Sequence, residues 1–407
     1  MNIKVLCDDR ITNYNFEQEH GFSLLITTEK HCILFDTGQS DVFLKNADKL
    51  GVDLCQVDTV VLSHGHYDHC NGLLHFLRVN TKASVYMHRG ALNCFMHGNK
   101  YIGAHPILKE HSDRYHFLTD EFYFDDEISI VPSSVLPSIV DNEFTIYADG
   151  KQTPDTFDHE IYLLCKHNQK KVLFTGCSHR GIVHIAQYAV SNDVTHIVGG
   201  FHLTDTAAND DVMDIIHDLS MHPLQYFTGH CTSHNAWERM HRTNPRQFHL
   251  IKAGDQFAIG THGEVASALF RQGYNCSQAV LGAFAEELNL NMDTAMKIAC
   301  SFGGGIGRMR EVCGAVSGMM MVCGMIHGYS TPETGSIKAE HYRLVQKLAS
   351  EFRSKTGSII CRDLLGGAAS SLPTPTERTK DFYAKRPCER LIYLAASILE
   401  ERFFEEN

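Results

Sequence analysis

The chain is short of positive charge. Its 407 residues include 36 Lys and Arg against 48 Asp and Glu, which gives a net charge of −12. A large nucleic-acid interface needs clustered Lys and Arg that neutralise phosphates, so this deficit disfavours a nucleic-acid partner. A small anionic substrate stays compatible with the composition, because a local site can bind it.

Secretory and spacer patterns are also missing. The 14 cysteines show no short disulfide framework, and residues 1–6 are typical of a strand rather than of a signal peptide. We therefore expect a cytoplasmic location, in which the thiols are free or bound to metal. No Pro- or Ser-rich spacer divides the chain, although its length suffices for two domains.

A cluster of side chains that can bind metal follows a short apolar segment. Residues 59–62 predict a buried strand that ends at Ser63. The next six residues contain four candidate ligands: His64, His66, Asp68 and His69. Imidazole and carboxylate at this density suit zinc or a similar divalent metal, and they favour a metal site over a solvated polar loop.

Later motifs add further candidates. Thr175-Gly176-Cys177-Ser178-His179 follows a predicted hairpin, and His230 follows the apolar segment 224–228. His202 ends a strand predicted at 197–200, at the same edge of the sheet. We expect His202 to hydrogen-bond substrate, with a metal-ligand role as the alternative.

The pattern H-x-H-x-D-H after a strand resembles the metallo-β-lactamase superfamily, and the resemblance covers residues 1–260. It implies an α/β fold, an αββα sandwich, with two divalent ions between the sheets. The implied ligands of one ion are His64, His66 and His179, and those of the other are Asp68, His69 and His230. Zinc is the expected metal, with manganese or iron as alternatives.

One residue departs from the superfamily pattern, and the motif around it resembles one subgroup. Where most superfamily members have an aspartate that bridges the two metals, this chain has Cys177, which either bridges as a thiolate or only packs. The Thr-Gly-Cys-Ser-His motif resembles the subgroup of dihydropterin-ribofuranosyl-aminobenzene-phosphate synthase-like hydrolases. His159 is the alternative to His179 as a ligand, because some superfamily members carry their third histidine there.

The resemblance implies that a metal-bound hydroxide hydrolyses an ester, amide or phosphoester. The substrate would be a small molecule, either anionic or neutral. Asp68 would orient the water and take up its proton, and His202 and a long insertion at 89–130 would bind the substrate. One alternative is a metal-dependent oxidoreductase in which C-terminal cysteines pass electrons or sense redox state. Another is a non-enzymatic metal or thiol sensor.

The rest of the chain, residues 264–407, predicts an all-helical domain after a linker at 261–263. The glycine run at 303–307 resembles a phosphate loop, but a helix precedes it rather than a strand, which disfavours nucleotide binding. The apolar run at 312–329 predicts a buried helix rather than a membrane span, and we expect no membrane partner. The oligomeric state stays open, a homodimer included.

The cysteines of this domain resemble the redox-active family named for its C_GCAxxG_C_C pattern. The residues that carry the resemblance are Cys276, Cys313, Cys361 and Cys388. It implies a thiol site that binds a metal or an iron–sulfur cluster, or that forms redox-active pairs. The alternative is buried free cysteine, a common small apolar residue of helical cores.

Overall fold

The computed structural model describes residues 1–110, 112–139, 141–167, 170–204, 209–245, 247–332, 335–366, 370–379, 382–383 and 386–404. The chain divides into two units, Met1–Gln256 and Phe257–Asn407. No helix among the described residues is long and apolar enough to cross a membrane.

Strands of the first unit, together with one strand at its C-terminal boundary, form three sheets. In chain order the strands are β1 Asn2–Cys7, β2 Ser23–Thr27, β3 Cys32–Phe35, β4 Thr59–Val61, β5 Ser84–His88, β6 Phe95–His97, β7 Lys100–Tyr101, β8 Tyr115–Leu118, β9 Phe122–Tyr123, β10 Ile128–Pro132, β11 Asp141–Ala148, β12 Lys151–Asp155, β13 Ile161–His167, β14 Lys170–Thr175, β15 His196–Gly199, β16 Gln225–Thr228, β17 Phe248–Leu250 and β18 Gln256–Ala258.

Two of the sheets have seven strands each. Their strand orders are β18-β1-β2-β3-β4-β5-β8 and β17-β16-β15-β14-β13-β10-β9. Strands β3, β4, β5 and β8 run parallel in the first sheet, and β14 to β17 run parallel in the second. Side chains that follow parallel strands meet at one edge of a sheet, which is where ligand sites of such sheets form.

Alternating side chains explain why the two sheets face each other. In β3, Leu34 packs in a core cluster with helix residue Phe43, whereas the next residue, Phe35, has its ring 6.1 Å from that of Phe174 in β14. Leu173, the neighbour of Phe174, packs in a separate cluster with helical residues. Successive strand residues point to opposite faces, so each sheet buries one face on the other sheet and one on helices. The expected αββα sandwich is confirmed.

The helices of this unit cover the outer faces or carry site residues. They are Val42–Lys49, Tyr67–Cys70, Leu73–Val79, Ile182–Ser191, Asn209–Ser220 and His234–Thr243. The sequence predicts one helix at 71–79 that starts after the metal ligands. Instead, Asp68 and His69 lie within the one-turn helix Tyr67–Cys70, and a second helix starts at Leu73.

The third sheet, in the order β12-β11-β6-β7, comes partly from the predicted insertion at 89–130 and partly from residues 141–155. Phe144 of β11 stacks on the ring of His66 at 5.7 Å, and Phe95 of β6 lies 5.6 Å from the same ring. The sheet therefore covers one side of the histidine cluster.

The second unit is helical. Its helices are His262–Arg271, Cys276–Ala283, Met292–Ala299, Gly314–His327, Ser336–Thr356, Cys361–Leu364 and Cys388–Phe403. The predicted linker at 261–263 differs from the structure: Thr261 caps the first of these helices in a capping box with Glu264. The sequence predicts the last helix at 382–404. In the structure this helix starts after Pro387, because a proline fits the start of a helix and breaks its interior.

Candidate metal centre

Three histidines at the edge of the sandwich converge on one point. One ring nitrogen from each of His64, His66 and His179 lies within 4.8 Å of the others, and all three side chains are buried. Nε2 of His64 is 3.1 Å from Nδ1 of His66. The Nε2 atoms of His66 and His179 are buried and have no hydrogen-bond partner among the described residues. Buried polar atoms without a partner are costly, so this group fits a bound cation.

A second group lies beside the first. Oδ2 of Asp68 is 3.6 Å from Nε2 of His69 and 3.3 Å from Nε2 of His230. The two Nε2 atoms are themselves 3.2 Å apart. The carboxylate and two imidazoles are the donor set that zinc, manganese and iron bind. The residues of both predicted triads are therefore close together.

Carboxylates orient the imidazoles from behind. Nδ1 of His69 lies 2.7 Å from Oδ2 of Asp36, and Nδ1 of His230 lies 3.0 Å from Oδ1 of Asp9. Both carboxylates favour the tautomer that carries its proton on Nδ1, which leaves Nε2 to bind a metal. The backbone amide of His230 also donates to Asp8.

The pKa values of most of these groups are shifted towards the protonation states that bind metal. Burial, reinforced by the neighbouring His69, lowers the pKa of His64 well below its ordinary value, and burial lowers the pKa of His66 to about 3. Burial raises the pKa of Asp68, but the imidazoles of His69 and His230 outweigh it and hold that pKa well below its ordinary value. Neutral imidazoles and an ionised carboxylate are the forms that coordinate metals.

His230 behaves differently. Burial lowers its pKa, but hydrogen bonds to Asp68 and Asp9 outweigh burial and raise the pKa well above its ordinary value. A cation that binds Nε2 of His230 must displace that proton, so its affinity rises with pH.

Close contacts between loops hold the first triad in place. Asp36 adopts a left-handed backbone conformation, with φ of 56°, and its carboxylate accepts hydrogen bonds from the amide and hydroxyl of Ser63, both at 2.7 Å. The Ser63 hydroxyl in turn lies 2.8 Å from Nδ1 of His64. A Cβ on Gly176 would come within 2.1 Å of that hydroxyl. Glycine is therefore required where the two loops meet.

Cys177 lies between the two triads. Its Sγ is 3.1 Å from Nε2 of His69 and lies within 4.8 Å of a ring nitrogen of His64. Burial, together with the neighbouring Cys231, raises the pKa of the Cys177 thiol well above its ordinary value. The thiol thus occupies the position between the triads, and its protonation depends on what it binds.

His202 lies next to the first triad. Its ring centroid is 4.4 Å from that of His179, and its Nδ1 is buried without a hydrogen-bond partner among the described residues. A ligand-forming atom from each of Cys177, His202 and Cys231 lies within 4.8 Å of the others. Burial lowers the pKa of His202, but its hydrogen bond to Cys231 outweighs burial and raises it. Cys231 is therefore the neighbour that raises the pKa of this ring.

His159 has both ring nitrogens within hydrogen-bond distance of other groups, although one of them also lies within 4.8 Å of a ring nitrogen of His66. Nδ1 accepts a hydrogen bond from the amide of Gly65 at 3.2 Å, and Nε2 lies 3.1 Å from Oδ2 of Asp155.

His20 lies beside the second group. Its Nε2 is 3.3 Å from Oδ2 of Asp68, and its side chain is 55% exposed. His20 therefore stands where the second group meets solvent.

The four predicted cysteines of the second unit line one cavity of about 310 Å³, and Cys300 also lines it. Burial raises the pKa of Cys388 to about 12 and raises that of Cys313 further. Cys276 adds to the rise at both of these thiols and at Cys361.

Sequence reasoning missed several residues of both sites. They are Asp9, Asp36, Phe144, Cys231 and Cys300. The two aspartates could have been found from their positions, because Asp9 closely follows β1 and Asp36 directly follows β3, and ligand sites often lie at strand ends. Cys231 could have been found because it adjoins His230. Nothing local marked Phe144 or Cys300.

Comparisons with known proteins identify both units. Residues 17–180 match the model of the metallo-beta-lactamase superfamily, and residues 274–402 match the family described as "Putative redox-active protein (C_GCAxxG_C_C)". MJ0448, an uncharacterized protein of Methanocaldococcus jannaschii, is 31% identical over 256 residues, which are 60% of this chain and 94% of that relative.

Two further matches cover a similar share of the chain. The 7,8-dihydropterin-6-methyl-4-(β-D-ribofuranosyl)-aminobenzene-5′-phosphate synthase of the same organism is 27% identical over 282 residues, 62% of this chain and 95% of that enzyme. The crystal structure of Tm1679, a metal-dependent hydrolase of the β-lactamase superfamily, has a TM-score of 0.55 and 31% identity, covering 64% of this chain and 99% of Tm1679.

Proposed function

The chain belongs to the metallo-β-lactamase superfamily and carries a C_GCAxxG_C_C domain at its C-terminal end, and on this premise we propose that the first unit is a metal-dependent hydrolase. Its proposed substrates are small-molecule esters, amides or phosphoesters. The observation that carries the proposal is the convergence of one buried ring nitrogen from each of His64, His66 and His179 within 4.8 Å of one another. Nε2 of His179 is buried and has no hydrogen-bond partner among the described residues.

Two ligand sets would hold two divalent ions, with zinc as the expected metal and manganese or iron as alternatives. The first set is His64, His66 and His179, and the second is Asp68, His69 and His230. When bound, such ions lower the pKa of a water molecule and polarise an oxygen of the substrate.

Asp68 and His202 are the proposed catalytic residues. The Asp68 carboxylate is ionised, and its Oδ2 lies 3.3 Å from Nε2 of the half-exposed His20. We assign to Asp68 the orientation of the attacking water and the uptake of its proton. His202 offers a buried Nδ1 without a partner among the described residues. This nitrogen would donate a hydrogen bond to the oxygen on which negative charge develops.

The third sheet supplies an apolar wall. Phe144 lies within 6 Å, ring to ring, of His66, His179 and His202. The ring of Phe95 also lies 5.6 Å from that of His66. These rings keep bulk water from the histidines and so strengthen charge interactions with a bound substrate.

The test combines metal analysis with an activity screen. His66→Ala and Asp68→Ala each remove a ligand at the sheet edge, so we expect loss of bound metal and of hydrolysis with an unchanged circular-dichroism spectrum. The control is His234→Ala, because the side chain of His234 is 68% exposed on a surface helix. Full metal content in the Asp68→Ala protein would refute the ligand assignment, and metal-loaded wild type that turns over none of a broad panel of esters, amides and phosphoesters would refute the activity.

A second candidate function is a metal-dependent oxidoreductase in which the cysteines of the second unit pass electrons or sense redox state. The observation in its favour is that Cys276, Cys313, Cys361 and Cys388 line one cavity. Elemental analysis of anaerobically purified protein separates the candidates: zinc or manganese favours hydrolysis, whereas iron with visible absorbance that is lost in Cys276→Ser favours the redox function.

A further inference from the structure

We propose that the cavity of the second unit binds a small molecule carrying an oxyanion group, a phosphate or a carboxylate, next to its cysteine thiols. This cavity, called the arginine cavity below, is lined by four arginines: Arg308, Arg310, Arg378 and Arg386. The inference is independent of the hydrolase proposed for the first unit, because it concerns other residues and another ligand.

The charge of the arginine cavity is unbalanced. No carboxylate occurs among its described lining residues, in a protein whose net charge is −12. Arg310 is only 4% exposed. Within the described part of the chain, no ion pair joins Arg308 or Arg310 to an acidic side chain, whereas the adjacent surface residue Arg362 pairs with Glu311. A buried cation without a counter-ion is unfavourable, so the arrangement calls for an anion.

Neutral groups hold the guanidinium groups in place. Nε and Nη2 of Arg310 donate to the carbonyl of Ser370 at 2.8 and 2.7 Å, and Nε of Arg308 donates to the carbonyl of Leu372 at 2.7 Å. A guanidinium has five N–H donors, so these bonds position the groups without using all their donors. Charge-assisted pairs with phosphate or carboxylate use such fixed forks.

Strained backbone brings two of the arginines to the cavity. Ile306, Arg308 and Arg310 all have positive φ values, of 56°, 69° and 65°. Left-handed backbone is costly for residues with a side chain and is concentrated at functional sites. A Cβ on Gly305 would approach the Cβ of Cys361 to 2.7 Å. The glycine run that resembles a phosphate loop therefore packs against a cavity cysteine and presents arginines.

Two of the thiols, those of Cys361 and Cys388, do not neutralise this charge. Burial raises the pKa of Cys361, although the nearby Arg310 acts in the opposite direction, and burial raises the pKa of Cys388 to about 12. Both thiols therefore stay protonated at neutral pH. The remaining walls include Phe270, Phe382 and Leu391, and the volume of about 310 Å³ is that of a small-molecule pocket. The fitting ligand has an anionic head and a short apolar body.

Iodoacetate and iodoacetamide provide the test, because both alkylate thiols but only iodoacetate carries a carboxylate. Reduced, full-length protein is treated briefly with each reagent, and modification of Cys276 and Cys388 is measured by mass spectrometry. For each cysteine we divide the iodoacetate rate by the iodoacetamide rate. This ratio cancels differences in exposure and in thiol pKa between the cysteines. We expect a ratio about tenfold higher than at the exposed Cys55, because a positively lined cleft concentrates anions. Inorganic phosphate should lower it.

Variants that each replace one arginine with glutamine test whether the arginines cause the preference for iodoacetate. Arg308→Gln and Arg386→Gln should bring the ratio close to that of Cys55, whereas Arg343→Gln, which removes the same charge from an exposed helix position, should leave it unchanged. Two separate arginines are used so that a folding defect in one variant does not decide the result. Equal ratios in all proteins, or no effect of phosphate, would overturn the proposal. Protection from both reagents by tightly bound metal would also overturn it, because the arginines would then balance metal-bound thiolates.

Discussion

The Nε2 atoms of His69 and His230 lie 3.2 Å apart, while the Nδ1 atom of each ring faces a carboxylate, Asp36 for His69 and Asp9 for His230. Each imidazole therefore has a carboxylate at Nδ1 and directs its Nε2 towards a point that both rings share. The two carboxylates set the tautomers and directions of the rings, and their influence on metal affinity can be measured separately from the ligands.

Asp36→Asn should weaken metal binding about 10- to 100-fold at the second group, because losing the carboxylate behind a ligating histidine has an effect of this size. It should also weaken binding at the first group, because the same carboxylate holds Ser63, whose hydroxyl contacts His64. Asparagine tolerates the left-handed backbone at this position. The measurement is competition with a chelator. Asp193→Asn is the matched control, since Asp193 has the same φ of 56° and is 92% exposed. Equal affinities of the two variants would contradict the prediction.

His179→Gln should lose about one of two bound ions, whereas His159→Gln should keep both. The reason is that Nε2 of His179 is buried without a partner among the described residues, while Gly65 and Asp155 occupy both ring nitrogens of His159. Metal content per chain after dialysis is the readout. Loss of an ion from the His159 variant alone would show that the two histidines have exchanged roles.

The cluster of His64, His66, Asp68 and His69 was predictable because all four residues lie within six consecutive positions of the sequence. Local spacing alone then reveals the chemistry, and the strand that precedes them is marked by its apolar run. The two-layer fold was expected only from the resemblance of this motif to a known superfamily. The strand Cys32–Phe35 is apolar throughout, so its sequence does not show that Leu34 and Phe35 face opposite sides.

Contacts between distant segments were not predictable. Asp9 reaches His230 across 221 residues, and no periodicity in a single sequence encodes such a pairing. Phe144 covers the histidines only because β11 pairs with β6 in a separate sheet. The arginine cavity depends in the same way on Arg310 meeting the carbonyl of Ser370, 60 residues further along.

Raising the pH from 6.5 to 9 should destabilise the second unit through His262. Burial lowers the pKa of this ring, but hydrogen bonds to Glu287 and Glu400, at 2.7 and 2.9 Å, outweigh it and raise the pKa to about 9. The folded pKa lies above the unfolded value of 6.5. The stabilisation is therefore complete below pH 6.5 and disappears as the pH rises through 9, with a decrease of at most about 3 kcal/mol in the free energy of unfolding.

Urea unfolding at pH 6, 7.5 and 9 measures this dependence. His262→Gln should flatten the change across the interval, and His327→Gln, at an exposed helix position, should retain it. The same pH dependence in wild type and His262→Gln would show that other groups are responsible.

Cys177 should bind metal as a thiolate when cobalt(II) replaces the native ions. Its Sγ lies 3.1 Å from Nε2 of His69 and close to a ring nitrogen of His64, so it can reach both ligand sets. Bound metal deprotonates a coordinating thiol even where burial raises its pKa. A thiolate bound to cobalt produces a charge-transfer band in the near ultraviolet. We expect Cys177→Ala to reduce this band, and Cys276→Ser serves as the control for cobalt bound in the second unit. An unchanged band in Cys177→Ala would leave Cys177 with only a packing role.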